Sequence, residues 1–173
     1  MNEGSLKHVD MFTDGACVGN PGPGGFGVIL KHGEHYRELS GGFRRTTNNR
    51  MEIFAAVAGL EILKEKCHVT VYSDSEYVVK AVMQGWARKW RANGWKRTSK
   101  DLAVNPDLWG KLLDLCAHHE VEFRWVRGHA GHPENERCDQ MATEAARRPD
   151  LPIDQGYSGG AQAFHRGSSP EMA

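Results

Sequence analysis

The sequence has no long apolar run, no net charge and few cysteines, and each absence removes a class of protein. No stretch approaches the ~20 apolar residues that a membrane-spanning helix needs. Basic and acidic residues balance at 22 each. The whole molecule is therefore not a polycation, and any grip on nucleic acid has to come from a local patch. The four cysteines (Cys17, Cys67, Cys116 and Cys138) lie far apart and form no CxxC pair. They read as reduced thiols, not as a disulfide frame or a zinc site. The first residues, Met1 to His8, carry no apolar segment of the kind a secretory leader has. The expected compartment is the cytoplasm and the expected state a monomer.

What is present suits one α/β domain over residues 1–149, followed by a tail. From about Asp150 the chain is Pro-, Gly- and Ser-containing with few large apolar residues, so residues 150–173 are expected to be flexible. Alternation predicts strands over His8–Cys17, Phe26–Lys31 and Tyr36–Phe43, with a Gly/Pro turn over Gly19–Gly25 and a hairpin near His32-Gly33. Capping residues at Thr46–Asn49 open a helix that runs to about Glu65, with Met51, Phe54, Ala55, Ala58 and Ile62 on one face. A strand at Val69–Ser73 is followed by helices at Glu76–Gln84, Trp86–Arg91 and Asn105–His119. A strand at Val121–Val126 and a helix at Pro133–Arg148 complete the set. Three strands in a meander followed by strand–helix alternation imply a mixed sheet with helices on both faces.

Four acidic residues fall at suggestive places. Asp14 ends the first strand, Glu52 lies in the first turn of a helix, Asp74 ends the fourth strand and Asp139 lies early in the last helix. Strand ends and the adjoining helix starts are where an open α/β sheet builds its site. Carboxylates converging there repel one another unless a cation lies between them. Mg²⁺ takes oxygen ligands of this kind, and a pair of such ions can activate water and steady a leaving oxygen. Taken singly, Asp14-Gly15 is a common turn pair, Asp74 a helix cap, and Glu52 and Asp139 solvated helix residues. The quartet gains meaning only from joint placement.

Residues 127–139 set two histidines, His129 and His132, in a Gly-rich loop ahead of a helix start. Imidazole changes charge near neutral pH, and Gly128 and Gly131 give its loop freedom to move. A zinc site of His129, His132 and Cys138 would lack a fourth ligand and would draw its cysteine from inside a helix. Between Trp86 and Lys100 the chain carries Arg88, Lys89, Arg91, Lys96, Arg97 and Lys100 with no acid, interleaved with Trp86, Trp90 and Trp95. In a chain without net charge, that concentration points to phosphate binding. Helical spacing gives Trp86 and Trp90 packing as an alternative task. Gly22 to Gly27 formally spells GxGxxG, but a strand follows where a dinucleotide-binding turn needs a helix.

The set Phe12–Gly15, Asn20–Gly25, Thr46–Glu52, Ser73–Ser75 and Gly128–Asp139, in this order, resembles bacterial ribonuclease HI over about His8 to Arg148. The resemblance implies a five-stranded mixed sheet flanked by helices. It implies hydrolysis of the RNA strand of an RNA–DNA hybrid, leaving 5′-phosphate and 3′-hydroxyl ends, with Mg²⁺ as the ion and Mn²⁺ as an alternative. Asp14, Glu52, Asp74 and Asp139 would be the metal-binding acids, and His129 an imidazole on a mobile loop that assists proton transfer or product release. Asn20, Thr47, Asn48, Asn49 and Asn135 would touch the substrate. The segment with Arg88, Lys89, Trp90, Arg91, Trp95 and Lys96 would be the basic protrusion that grips the hybrid. Glu76 departs from the family, which often has a Gln there; an ionised Glu cannot donate a hydrogen bond. The alternative reading is a non-catalytic binder of hybrids or RNA, in which the acidic quartet has no purpose. A resolvase or integrase on the same fold would lack the Gly128–Asp139 stretch and the protrusion.

Overall fold

The order of strands and helices along the chain decides the architecture. The computed structural model describes residues 5–128 and 131–157. In order they form β1 (Lys7–Cys17), β2 (Gly22–His32), β3 (His35–Thr46), α1 (Asn48–Glu61), β4 (Cys67–Ser73), α2 (Glu76–Met83), α3 (Trp86–Ala92), α4 (Pro106–His118), β5 (Glu120–Trp125) and α5 (Pro133–Ala146). The sheet order is β3-β2-β1-β4-β5. The β1–β2 and β2–β3 pairs are antiparallel, and the β1–β4 and β4–β5 pairs are parallel.

Successive side chains of a strand point to opposite faces, and the sheet uses both. Val9 and Met11 of β1 join a large core with residues of α1, α2, α3 and α4, centred on Trp109 and Leu112. Phe12, the next residue of the strand, packs on the other face with Ile29, Cys138 and Met141, where α5 lies. Helices therefore cover both faces, as the element order predicts.

Two elements differ from expectation. β2 begins at Gly22, inside the stretch read as a turn. The glycines there are strand residues whose missing side chains admit other elements. On α1, residues Arg50 to Ile53 and Ala55 to Leu60 are all buried, so there is no single apolar face. The helix is enclosed between the sheet and α4, and a helix covered all round loses its amphipathic signature. It also stops at Glu61, where Leu63 N–H bonds back to the Leu60 carbonyl at 3.3 Å and turns the chain toward β4.

Packing does not stop at the expected boundary near residue 150. Leu151 and Asp154 are buried, and Arg44 N–H of β3 donates to the Pro152 carbonyl at 2.8 Å. Residues 158–173, the rest of the expected tail, lie outside the described residues.

Candidate active site

The register of two parallel strands builds the centre of the site. Thr13 of β1 pairs with Ser73 of β4 as the last pair of that ladder, so the next residues, Asp14 and Asp74, stand side by side where the two strands part, while β1 continues along β2. Glu52 is the fifth residue of α1, a helix started by Thr47, whose Oγ1 accepts from Arg50 N–H at 3.2 Å. One carboxylate oxygen from each of Asp14, Glu52 and Asp74 lies within 4.8 Å of the others. Asp139, seventh residue of α5, lies against Asp14, where its charge and hydrogen bonding act on the Asp14 carboxyl.

Two glycines bring the helices this close. A Cβ on Gly15 would stand 2.6 Å from the backbone nitrogen of Glu52. Gly27 of β2 pairs with Asp14, and a Cβ there would run into the carbonyl oxygen of Cys138, the neighbour of Asp139. Side chains at either position would push Glu52 or Asp139 off the cluster. Sequence patterns assign neither glycine this task, because the steric partner of each is distant in the chain.

The electrostatics follow from gathering like charges in a buried place. Burial, then Asp74, then Asp139 push the Asp14 carboxyl up to about 8. The Gly15 N–H, donating to Asp14 Oδ1 at 2.9 Å, opposes this. Burial and then Asp14 and Asp74 hold Glu52 well above the usual carboxylate range. Glu52 Oε1 is buried and finds no hydrogen-bond partner among the described residues. An orphaned acceptor costs about 1–3 kcal/mol, more when charged. A hard divalent cation relieves both the repulsion and the orphaned oxygen, so the donor set fits such an ion.

Two further contacts bear on Asp74. The indole Nε1–H of Trp125, at the end of β5, donates to the Asp74 carbonyl at 3.1 Å. A Cβ on Gly128 would lie 2.8 Å from Asp74 Oδ2, so the chain entering the histidine loop passes directly over this carboxylate. Nothing in the sequence marks Trp125, because a strand tryptophan is ordinarily a packing residue. His129 lies outside the described residues, while His132 is exposed and precedes α5 as its N-cap residue.

The other expected contacts divide into two groups. Asn20, in the β1–β2 turn, accepts from Asn48 N–H at 3.0 Å, joining that turn to the α1 start where Thr47 and Asn49 stand. Asn135 is buried on α5, and its Nδ2 has no partner among the described residues. In the basic segment Arg88, Lys89 and Lys96 are exposed. Arg91 pairs with Asp114 of α4 at 2.8 Å, an exposed contact of small energy. Trp90 meets Tyr77 at a tilt and Trp109 edge to face, and Trp95 packs on the same core. Both rings are thus in packing contacts that fix the segment to the domain. Glu76 pairs with Lys80 one turn on, at 3.1 Å.

Comparison with known proteins identifies the family. The RNase H family model matches residues 6–147. The chain is 63% identical over 150 residues to the ribonuclease H of Desulforamulus reducens, covering 87% of this chain and 94% of that one. It is 62% identical over 151 residues to the ribonuclease H of Syntrophus aciditrophicus, covering 87% of each. Among solved structures it is similar to LC9-RNase H1, a type 1 RNase H with the type 2 active-site motif (TM-score 0.72, 32% identity, 82% of this chain and 72% of that one). It is also similar to LC11-RNase H1 solved with an RNA/DNA hybrid (TM-score 0.62, 25% identity, 80% of this chain and 96% of that one).

Proposed function

The chain belongs to the RNase H family and is a ribonuclease H that cleaves RNA in RNA–DNA hybrids; from that premise we propose how its own residues do so. Asp14, Glu52, Asp74 and Asp139 hold two divalent ions, Mg²⁺ in the cell with Mn²⁺ able to substitute. The observation that carries this is the convergence of three carboxylates within 4.8 Å, one with an oxygen that lacks a hydrogen-bond partner among the described residues. When bound, the ions supply an activated water and charge stabilisation at the leaving oxygen, which leaves 5′-phosphate and 3′-hydroxyl ends.

The protein's part is positional. Asp14 and Asp74 are fixed by the sheet register, and Glu52 and Asp139 by helices seated on Gly15 and Gly27. His129 assists proton transfer or product release. Asn20, Thr47, Asn48, Asn49 and Asn135 contact sugar and phosphate across the minor groove, where a 2′-hydroxyl distinguishes RNA from DNA. Arg88, Lys89, Arg91 and Lys96 attract the hybrid's phosphates, while Trp90 and Trp95 shape the protrusion that presents them. The catalytic unit is a single domain acting as a monomer in the cytoplasm. Among the described residues, no helix is long and apolar enough to cross a membrane.

The test is a labelled RNA–DNA hybrid, incubated with Mg²⁺ and with EDTA beside RNA–RNA and DNA–DNA duplexes. Cleavage of the hybrid's RNA strand alone, abolished by EDTA, is expected. Undiminished cleavage in EDTA would overturn the metal assignment.

A further inference from the structure

Arg50 is a buried guanidinium two residues before Glu52, with a side chain only 2% exposed. It does not point to the carboxylate cluster. Its Nε and Nη2 donate to Asp154 at 2.8 and 3.0 Å, and its Nη1 and Nη2 donate to Asp107 at 2.9 and 2.7 Å. Nη1 also reaches Asn105 Oδ1 at 3.1 Å. Asp154 further accepts from Thr46 Oγ1 at 2.6 Å. One arginine thus joins three places: the β3–α1 junction, the start of α4, and the segment after α5.

The fit of that last segment is close. A Cβ on Gly156 would collide with Asp107 Oδ2 and with Arg50 Nη2, so the segment crosses directly over the ion pair, and a side chain there would displace it. The two regions being joined are those assigned to the substrate. Thr47, Asn48 and Asn49 open α1, and α4 begins at Pro106, a short connection after Lys100, the last cation of the basic segment. Buried bidentate carboxylate–guanidinium contacts fix direction as well as distance.

We propose that residues 151–157 are a positioning clasp for hybrid binding. Through Asp154 and Gly156 they lock Arg50, and through Arg50 they set the α1 start against the basic segment. The inference rests on the reading of Thr47, Asn48 and Asn49 as hybrid contacts. Arg50 and Asp154 are positioning residues: neither belongs to the carboxylate cluster, and both act through the backbone that carries the contacts.

The full-length chain is compared with Asp154→Asn, Gly156→Ala, Asn48→Ala/Asn49→Ala, and each clasp variant in that double-alanine background. KM and kcat are measured on a hybrid well below each Tm, together with the Mg²⁺ concentration for half-maximal rate. Asp154→Asn should raise KM about tenfold, as misplacement of a binding group does, with kcat within about twofold and the Mg²⁺ dependence unchanged. In the double-alanine background that KM effect should largely vanish, because coupled residues are not additive. Gly156→Ala keeps every charge and should shift KM the same way, and it decides the matter if Asp154→Asn does not fold. A folded clasp variant with wild-type KM, or KM effects that simply add, would overturn the clasp. If Asn48→Ala/Asn49→Ala leaves KM unchanged while the wild type cleaves hybrid, the proposal falls at its premise instead.

Discussion

Asp14 sits where burial and two neighbouring carboxylates all act against its negative charge, and this one residue yields two expectations of opposite sign. Asp14→Asn should reduce hybrid cleavage at least a hundredfold, because an amide is a poor partner for a divalent cation. The same change should stabilise the metal-free protein at pH 8 by ~1–2 kcal/mol, about 2–8 °C in Tm for a domain of this size. Thermal melts in EDTA beside turnover in Mg²⁺ check both; a lower metal-free Tm would contradict the repulsion. His129→Ala should slow turnover by about 10² yet leave measurable cleavage, since the carboxylates and their ions remain. Single-turnover rates equal to wild type would remove His129 from the mechanism. The four carboxylates are legible in the sequence because each stands in a local motif, although Asp14 lies inside β1 and Asp139 midway along α5. Gly15, Gly27 and Trp125 are not, because their tasks depend on atoms that only folding brings near.

At the scale of elements, the strand and helix order is legible from alternation and capping. Expectation and structure part where tertiary packing replaces local pattern. Gly24 and Gly25 look like turn residues, yet they lie in β2, where the closeness of Met51, α5 and Ala16 leaves no room for a side chain. The periodicity of α1 suggests one buried face because a sequence does not reveal that a second layer, α4, covers the opposite side. The basic segment is visible as a run of cations, but the work of its tryptophans is not. Trp90 meets Tyr77 and Trp109, residues far from it in the chain. A division of labour follows. Neutralising Arg88, Lys89, Lys96, Arg97 and Lys100 should weaken hybrid binding and flatten its salt dependence, by about 0.7–0.9 in slope for each phosphate no longer neutralised. Trp90→Ala should instead lower Tm, by removing a buried aromatic contact. Fluorescence titrations at several salt concentrations, with thermal melts, separate the two; an unchanged slope in the neutralised variant would refute the phosphate role.

At the scale of the whole molecule, proton and divalent-ion binding are expected to be coupled at the acidic cluster. Asp14 titrates at about 8 in the folded, ion-free protein against an ordinary value of 3.8. Between those values the folded state holds a proton that the unfolded chain has released. Metal-free stability therefore falls as pH rises through that window, and the contribution is fully present only below the unfolded value. Divalent ions displace the protons, so the fall should disappear in saturating Mg²⁺. Denaturant melts from pH 5 to pH 8.5 in EDTA and in Mg²⁺ measure this; parallel curves would show that the cluster does not govern stability. The C-terminal boundary differs from expectation for a related reason. Composition marks residues 150–157 as a tail, but Asp154 answers a buried Arg50 whose need for partners is invisible until the fold encloses it.

Crystals of the chain equilibrated with Mn²⁺ test the central claim most directly, since anomalous scattering locates that ion without reference to activity. A peak is expected about 2–2.5 Å from carboxylate oxygens of Asp14, Glu52 and Asp74. Fully occupied Mn²⁺ elsewhere, with no peak between these three side chains, would contradict it.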